Sequence, residues 1–166
     1  MNKLIIPIII FAALSRLIPH PPNFTPIIAM CLFGGAYLKN YRLSILIILS
    51  VMILSDFILG FHKIVPWVYM AMILITLIGV ILRKNINMIN CILSFFSASL
   101  VFFFISNLGV WFIGYEKSIS GFVNCYIMAI PFLHNTLIST FMYGIIMFGG
   151  YKILKNILQG SIVDSV

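Results

Sequence analysis

Six apolar stretches, separated by short polar or proline-rich connections, fill most of this chain. The first covers about 4–18 and stops at Pro19, with Pro7 in its opening turn, where a missing N–H costs little. The connection Pro19-His20-Pro21-Pro22-Asn23 holds three prolines, which force extended or turn backbone. Four more stretches follow at about 24–38, 43–60, 64–82 and 88–113. Residues 121–130 are too short to cross a bilayer and are expected at its interface or dipping in and out of it. The sixth span is expected at 131–151. Nothing alternates with the period of two that a β-barrel strand needs: 43–54 is apolar except for Ser44 and Ser50.

Composition turns this pattern into a class. Hydrophobic residues make up 63% and charged residues 8%, with a mean hydropathy of +1.19. Such a chain cannot clothe a soluble domain in charge, so a soluble enzyme, a disordered tail and a secreted disulfide scaffold are excluded. The expected fold is an all-α membrane protein, a single six-helix transmembrane domain over 1–158 with a short cytoplasmic tail at 159–166. The first helix has no small-x-small cleavage site after it and is expected to be retained. Cys31, Cys91 and Cys125 lack CxxC spacing and imply no disulfide framework.

The net charge of +7 reads as a topology signal and not as a nucleic-acid surface. With the N-terminus inside, Lys3, Lys39, Arg42, Arg83, Lys84, Lys152 and Lys155 fall on the inner side. Arg16, Lys63 and Lys117 fall on the outer side. That bias predicts an N-in, C-in, multi-pass protein.

Placed on this topology, the unusual side chains converge. Arg16 lies about 18 Å above Leu4 and Asp56 about 20 Å above Leu43 at 1.5 Å per residue, so the two share a depth. An unpaired charge within a span is costly, which makes an Arg16–Asp56 pair the simplest mutual solution. Asn107 and Trp111 share a face of the fifth span, and Asn23, Tyr126, His134 and Asn135 map to the same outer side. An outward pocket is therefore expected, with Arg16 and Asp56 setting its electrostatics, and Asn23, Asn107 and Asn135 orienting a ligand. His134 lies beside them, and Trp67, Trp111 and Tyr126 would form walls. His20, His62 and His134 are an alternative metal-ligand set, without a local ligand motif. No cofactor is expected. No GxSxG, HExxH or phosphate-cradling loop occurs, so the protein is not expected to be an enzyme. The stripe Thr136, Thr140 and Gly144 in the sixth span suits close contact with another helix, the alternative being a non-transporting assembly protein. A proton- or ion-coupled carrier using Asp56 is the other alternative.

Several segments also carry a family resemblance. They are residues 15–26 with Arg16, Pro19-His20-Pro21-Pro22-Asn23 and Pro26, residues 54–62 with Asp56 and His62, Ser106-Asn107-Leu108-Gly109-Val110-Trp111, and 125–137 with His134-Asn135-Thr136. Together they resemble a family of small bacterial inner-membrane proteins labelled as transport proteins. In size and hydropathy that family is similar to the substrate-binding S components of energy-coupling-factor (ECF) transporters. The resemblance implies an S-component-like protein of the bacterial cytoplasmic (inner) membrane. It would take up a small, vitamin-like organic solute from the outer side, with a separate ATP-driven energising complex as partner. The first span departs from S components, whose small residues four apart dock that complex: here the faces read Ile8-Ala12-Arg16 and Ile9-Ala13-Leu17.

Overall fold

A computed structural model describes residues 2–163, with side chains over 4–159. The described residues form helices and no strand. In chain order these are α1 (Asn2–Ser15), α2 (Ile27–Tyr37), α3 (Tyr41–Leu59), α4 (Val65–Leu82), α5 (Met88–Gly114) and α6 (Ile119–Gly144). A π-helical turn (Ile145–Gly149) then leads without a break into α7 (Gly150–Val163). Four helical stretches are long and apolar enough to cross a membrane: Tyr41–Leu59, Val65–Leu82, Met88–Gly114 and Ile119–Gln159. The chain is thus a helical protein of membrane character.

Local chemistry sets the helix starts. Asn40 accepts hydrogen bonds from the Arg42 and Leu43 amides at the head of α3. Asn87 does so from Asn90 at the head of α5, and Ser118 from Gly121 at the head of α6. Pro66 lies in the first turn of α4, where no amide donor is needed.

The centre of the bundle is α2. It is apolar all round, and residues from Ile27 through Ala36 are all buried. At 1.5 Å per residue its 11 residues span only about 17 Å, well short of the ~30 Å hydrocarbon layer. Its most extensive contact is with α4. There Gly35 and Gly79 let two backbones meet: a methyl on Gly79 would strike the Leu32 carbonyl, and one on Gly35 the Thr76 carbonyl. The helix then ends on a cation from another element. Arg83 donates to the carbonyls of Gly35 (2.6 and 3.2 Å), Leu38 (2.5 Å) and Lys39 (2.6 Å). Charge and donors together satisfy the exposed C-terminal carbonyls of α2. Arg83→Met should lower stability by about 1.5–3 kcal/mol in a detergent-micelle unfolding titration. Arg83→Lys should restore less than half, because one ammonium cannot reproduce a planar fork of donors. A fully restored Lys variant would mean that charge alone matters there.

Four expectations are corrected. Arg16 does not lie in the first helix: α1 ends at Ser15, and the amides of Arg16 and Leu17 turn back to Ala13 and Leu14 in tighter i→i+3 bonds. Residues 121–130 are not a separate short piece but the first half of α6, which continues through Pro131 without a break. Gly121, Cys125 and Ala129 recur every four residues and are buried, while Cys125 Sγ donates to the Asn107 carbonyl of α5. Outside that stripe, Tyr126 Oη donates to the Phe104 carbonyl at 2.7 Å and its ring lies 4.6 Å from that of Phe122. These contacts hold the segment upright against α5. The third correction concerns the stripe Thr136, Thr140 and Gly144. It is buried within the chain, and a methyl on Gly144 would meet the Phe95 ring of α5 at 2.6 Å. It offers no surface to an outside helix. Gly149 and Gly150, where the π-helical turn meets α7, have open space beside them. The tail assigned to 159–166 overlaps α7, which continues to Val163, and residues 164–166 lie outside the described residues.

Candidate functional site

The proline-rich connection between α1 and α2 does not leave the bundle as a free loop. The Phe24 amide bonds to the Pro21 carbonyl, and Asn23 takes a left-handed backbone conformation with φ 60°. Two side chains of α6 then grip it: Asn135 Nδ2 donates to the Pro22 carbonyl at 3.0 Å, and Ser139 Oγ to the Asn23 carbonyl at 3.4 Å. Irregular backbone at such a place is tolerated where it lines a cavity.

It does line one. A cavity of about 700 Å³ opens among the ends of α1, α3 and α5, the start of α4, the first half of α6 and this connection. That is ample for a small organic molecule. Its polar lining includes Arg16, His20, Asn23, His62, Ser106 and Asn107. Its apolar lining includes Ile27, Val68, Phe102, Val110 and Ala129.

Arg16 reaches from the turn after α1 onto α3. One guanidinium nitrogen meets Asp56 Oδ1 at 2.7 Å, and the other donates to Ser55 Oγ at 2.5 Å. Asp56 Oδ2 accepts from the Tyr69 hydroxyl of α4 at 2.7 Å. Oδ1 has no partner besides Arg16 among the described residues. The Arg16 side chain is 10% exposed and that of Asp56 1%, so the arginine faces the cavity and the carboxylate stands behind it. The pairing expected from matched depth is present, but only one of its members touches the cavity.

Asn107 is 9% exposed and also lines the cavity. Its Nδ2 donates to the Phe103 carbonyl at 2.7 Å, which leaves Oδ1 as an acceptor. Of the other expected site residues, Asn23 lines the cavity, whereas Asp56, Trp111, Tyr126, His134 and Asn135 do not. Asn135 instead positions the connection that carries Asn23. Tyr126 ties α6 to α5, and His134 is exposed on α6 outside the lining.

Trp111 belongs to a helix end. Its indole N–H donates to the Glu116 carbonyl at 3.2 Å, and Lys117 Nζ sits 5.1 Å from its ring centroid. Lys117 also donates to the carbonyls of Trp111 and Phe112, closing the C-terminus of α5. Trp67 lies over Gly109, wedged between α4 and α5, and not in the cavity wall. His20 and His62 share the cavity lining, but His134 does not join them. Among the described residues no three His, Cys, Asp or Glu side chains come together as a metal-binding group.

Sequence reasoning missed Ser106, His62 as a lining residue in its own right, and the apolar part of the wall. Ser106 had a usable signal: Phe102, Ser106 and Val110 recur every four residues on one arc of α5. No curated protein and no solved structure matches the chain. One family model does, over residues 1–161, and by that match the chain belongs to DUF6580, a family of unknown function.

Proposed function

We propose that this protein binds a small organic solute in the Arg16-lined cavity and takes part in its uptake across a bacterial cytoplasmic membrane. The observation that carries the reading is the cavity itself. It has the volume of a solute site, a mixed polar and apolar wall, and a charged side chain held rigidly at its edge by Ser55 and Asp56.

The finer topology belongs to the same proposal: six passes, both termini inside, and the cavity opening outward. Arg83 lies against Lys39, and Lys152 and Lys155 line a second hollow with Tyr37 and Asn87. These bases gather at the end of the bundle away from the cavity, as a positive-inside arrangement requires. A separate energising subunit of the ECF kind would supply the driving force. The longest non-helical stretch among the described residues is 16–26, which leaves no room for a nucleotide-binding domain there. A carrier that titrates Asp56 is less well supported, because Arg16 and Tyr69 already engage both carboxylate oxygens. The assembly-protein reading loses its main feature with the burial of the Thr136 stripe.

The test is native mass spectrometry of the purified protein beside a Val110→Trp variant, in which an indole would occupy the cavity. A small molecule should accompany the wild type and be missing from the folded variant. Equal occupancy of both would place any bound molecule elsewhere and sink the reading.

A further inference from the structure

We infer that the cavity takes a small organic anion that also carries a hydrogen-bond donor, its acidic group toward Arg16. This deepens the solute-binding proposal above and rests on it.

The charge of the lining is one-sided. Arg16, His20 and His62 all line the cavity, and no aspartate or glutamate does. The chain has three acids. Asp56 is 1% exposed and stands behind Arg16, Glu116 lies outside the lining, and Asp164 lies outside the described residues. A solute carboxylate touching the guanidinium at about 3 Å would have Asp56 roughly twice as far away, so attraction would exceed repulsion about twofold. A solute ammonium in the same place would meet the cation directly, with the only nearby carboxylate shielded.

Donors also remain for an anion. A guanidinium has five N–H groups. Arg16 uses its two terminal nitrogens on Met52, Ser55 and Asp56, while its Nε makes no hydrogen bond among the described residues. His20 spends its Nδ1 proton on the Pro21 carbonyl at 3.0 Å, so Arg16 supplies the side-chain donor to the anion. Backbone adds to this. Thr25 and Ile27 line the cavity where α2 begins, and no side chain caps that helix start. The positive end of the α2 dipole therefore borders the same space.

An acceptor from α5 defines the second group. Asn107 spends its Nδ2 on the Phe103 carbonyl, and its Oδ1 makes no hydrogen bond among the described residues. A ligand N–H or O–H would complete it. Arg16 follows α1, which packs on α2 and α3, whereas Asn107 belongs to α5, which packs on α2, α4 and α6. The two ligand groups would thus lie at separated points of one molecule, with its apolar body against Ile27, Val68 and Phe102.

The experiment takes the protein into lipid nanodiscs, extracts the retained solute and identifies it by mass spectrometry in both ion modes. Val110→Trp serves as the blank. His62→Glu changes an exposed residue that takes no part in the Arg16–Asp56 contact and places an acid at the cavity, while His62→Gln removes the imidazole without adding charge. The solute enriched over the blank should be an anion at neutral pH, and His62→Glu, with an unchanged unfolding midpoint, should retain about tenfold less of it. His62→Gln should retain clearly more than His62→Glu. A neutral or cationic solute, or full retention by His62→Glu, overturns the anion inference and leaves solute binding standing. If nothing is enriched over the blank, solute binding itself falls, and the inference with it.

Discussion

Arg16→Gln should cost about 3 kcal/mol of folding stability, and Asp56→Asn only about 1–2 kcal/mol. The asymmetry comes from where each survivor is left. Without Arg16, the Asp56 carboxylate stays 1% exposed with the Tyr69 hydroxyl as its remaining partner. Without the Asp56 charge, Arg16 keeps Ser55 and can turn into the cavity it already lines. The double variant should lose clearly less than the sum of the two, with a coupling of about 1–2 kcal/mol. Reversible unfolding in mixed micelles, followed by helical circular dichroism, measures all three. Strict additivity, or a greater loss from Asp56→Asn than from Arg16→Gln, would contradict the geometry.

The second large effect concerns the crossing of α2 and α4. Gly79→Ala should cost about 1–3 kcal/mol, and Gly79→Leu should prevent folding. The new methyl would meet backbone, namely the Leu32 carbonyl and Gly35 Cα at 3.0 Å, and backbone cannot step aside as a rotamer can. Gly34 provides a graded comparison, because its methyl would meet only side chains, with the end of Ile48 nearest at 2.9 Å. Gly149→Ala should change stability by less than about 0.5 kcal/mol, since nothing lies within 4 Å of the added carbon. Equal losses at Gly79 and Gly149 would mean that glycine flexibility, and not close approach, matters at Gly79.

Much of this arrangement is legible in the chain, for physical reasons that differ by element. The starts and ends of α3, α4 and α5 follow from hydropathy because lysine, arginine and asparagine punctuate them. The Arg16–Asp56 contact follows from the cost of burying either charge alone. Pro131 misleads in the other direction. A proline suggests a helix start, yet α6 carries it inside, because small residues on one face of 119–130 already bind that half to α5.

Side-chain direction is the hardest part. A helix that is apolar on all sides gives no indication of which face looks inward, and α5 is such a helix. Asn107 sits at the edge of the arc formed by Phe102, Ser106 and Val110. Four residues later the chain has turned about 40° further, which carries Trp111 off the arc and over Lys117. Shared face was a sound argument for two residues and still placed one of them outside the cavity.

The shortness of α2 bears on what can happen beyond the cavity. A solute resting at the head of this helix would have only about 17 Å of protein below it before the far end of α2, roughly half a bilayer. The helix itself is closed in: Met30, Cys31, Leu32 and Phe33 are fully enclosed, and Gly35 and Arg83 fasten it at its far end. The cavity at the head of α2 and the hollow beside Tyr37 at its far end share no lining residue. On the proposed uptake function, onward passage would need this end of the bundle to tilt or part.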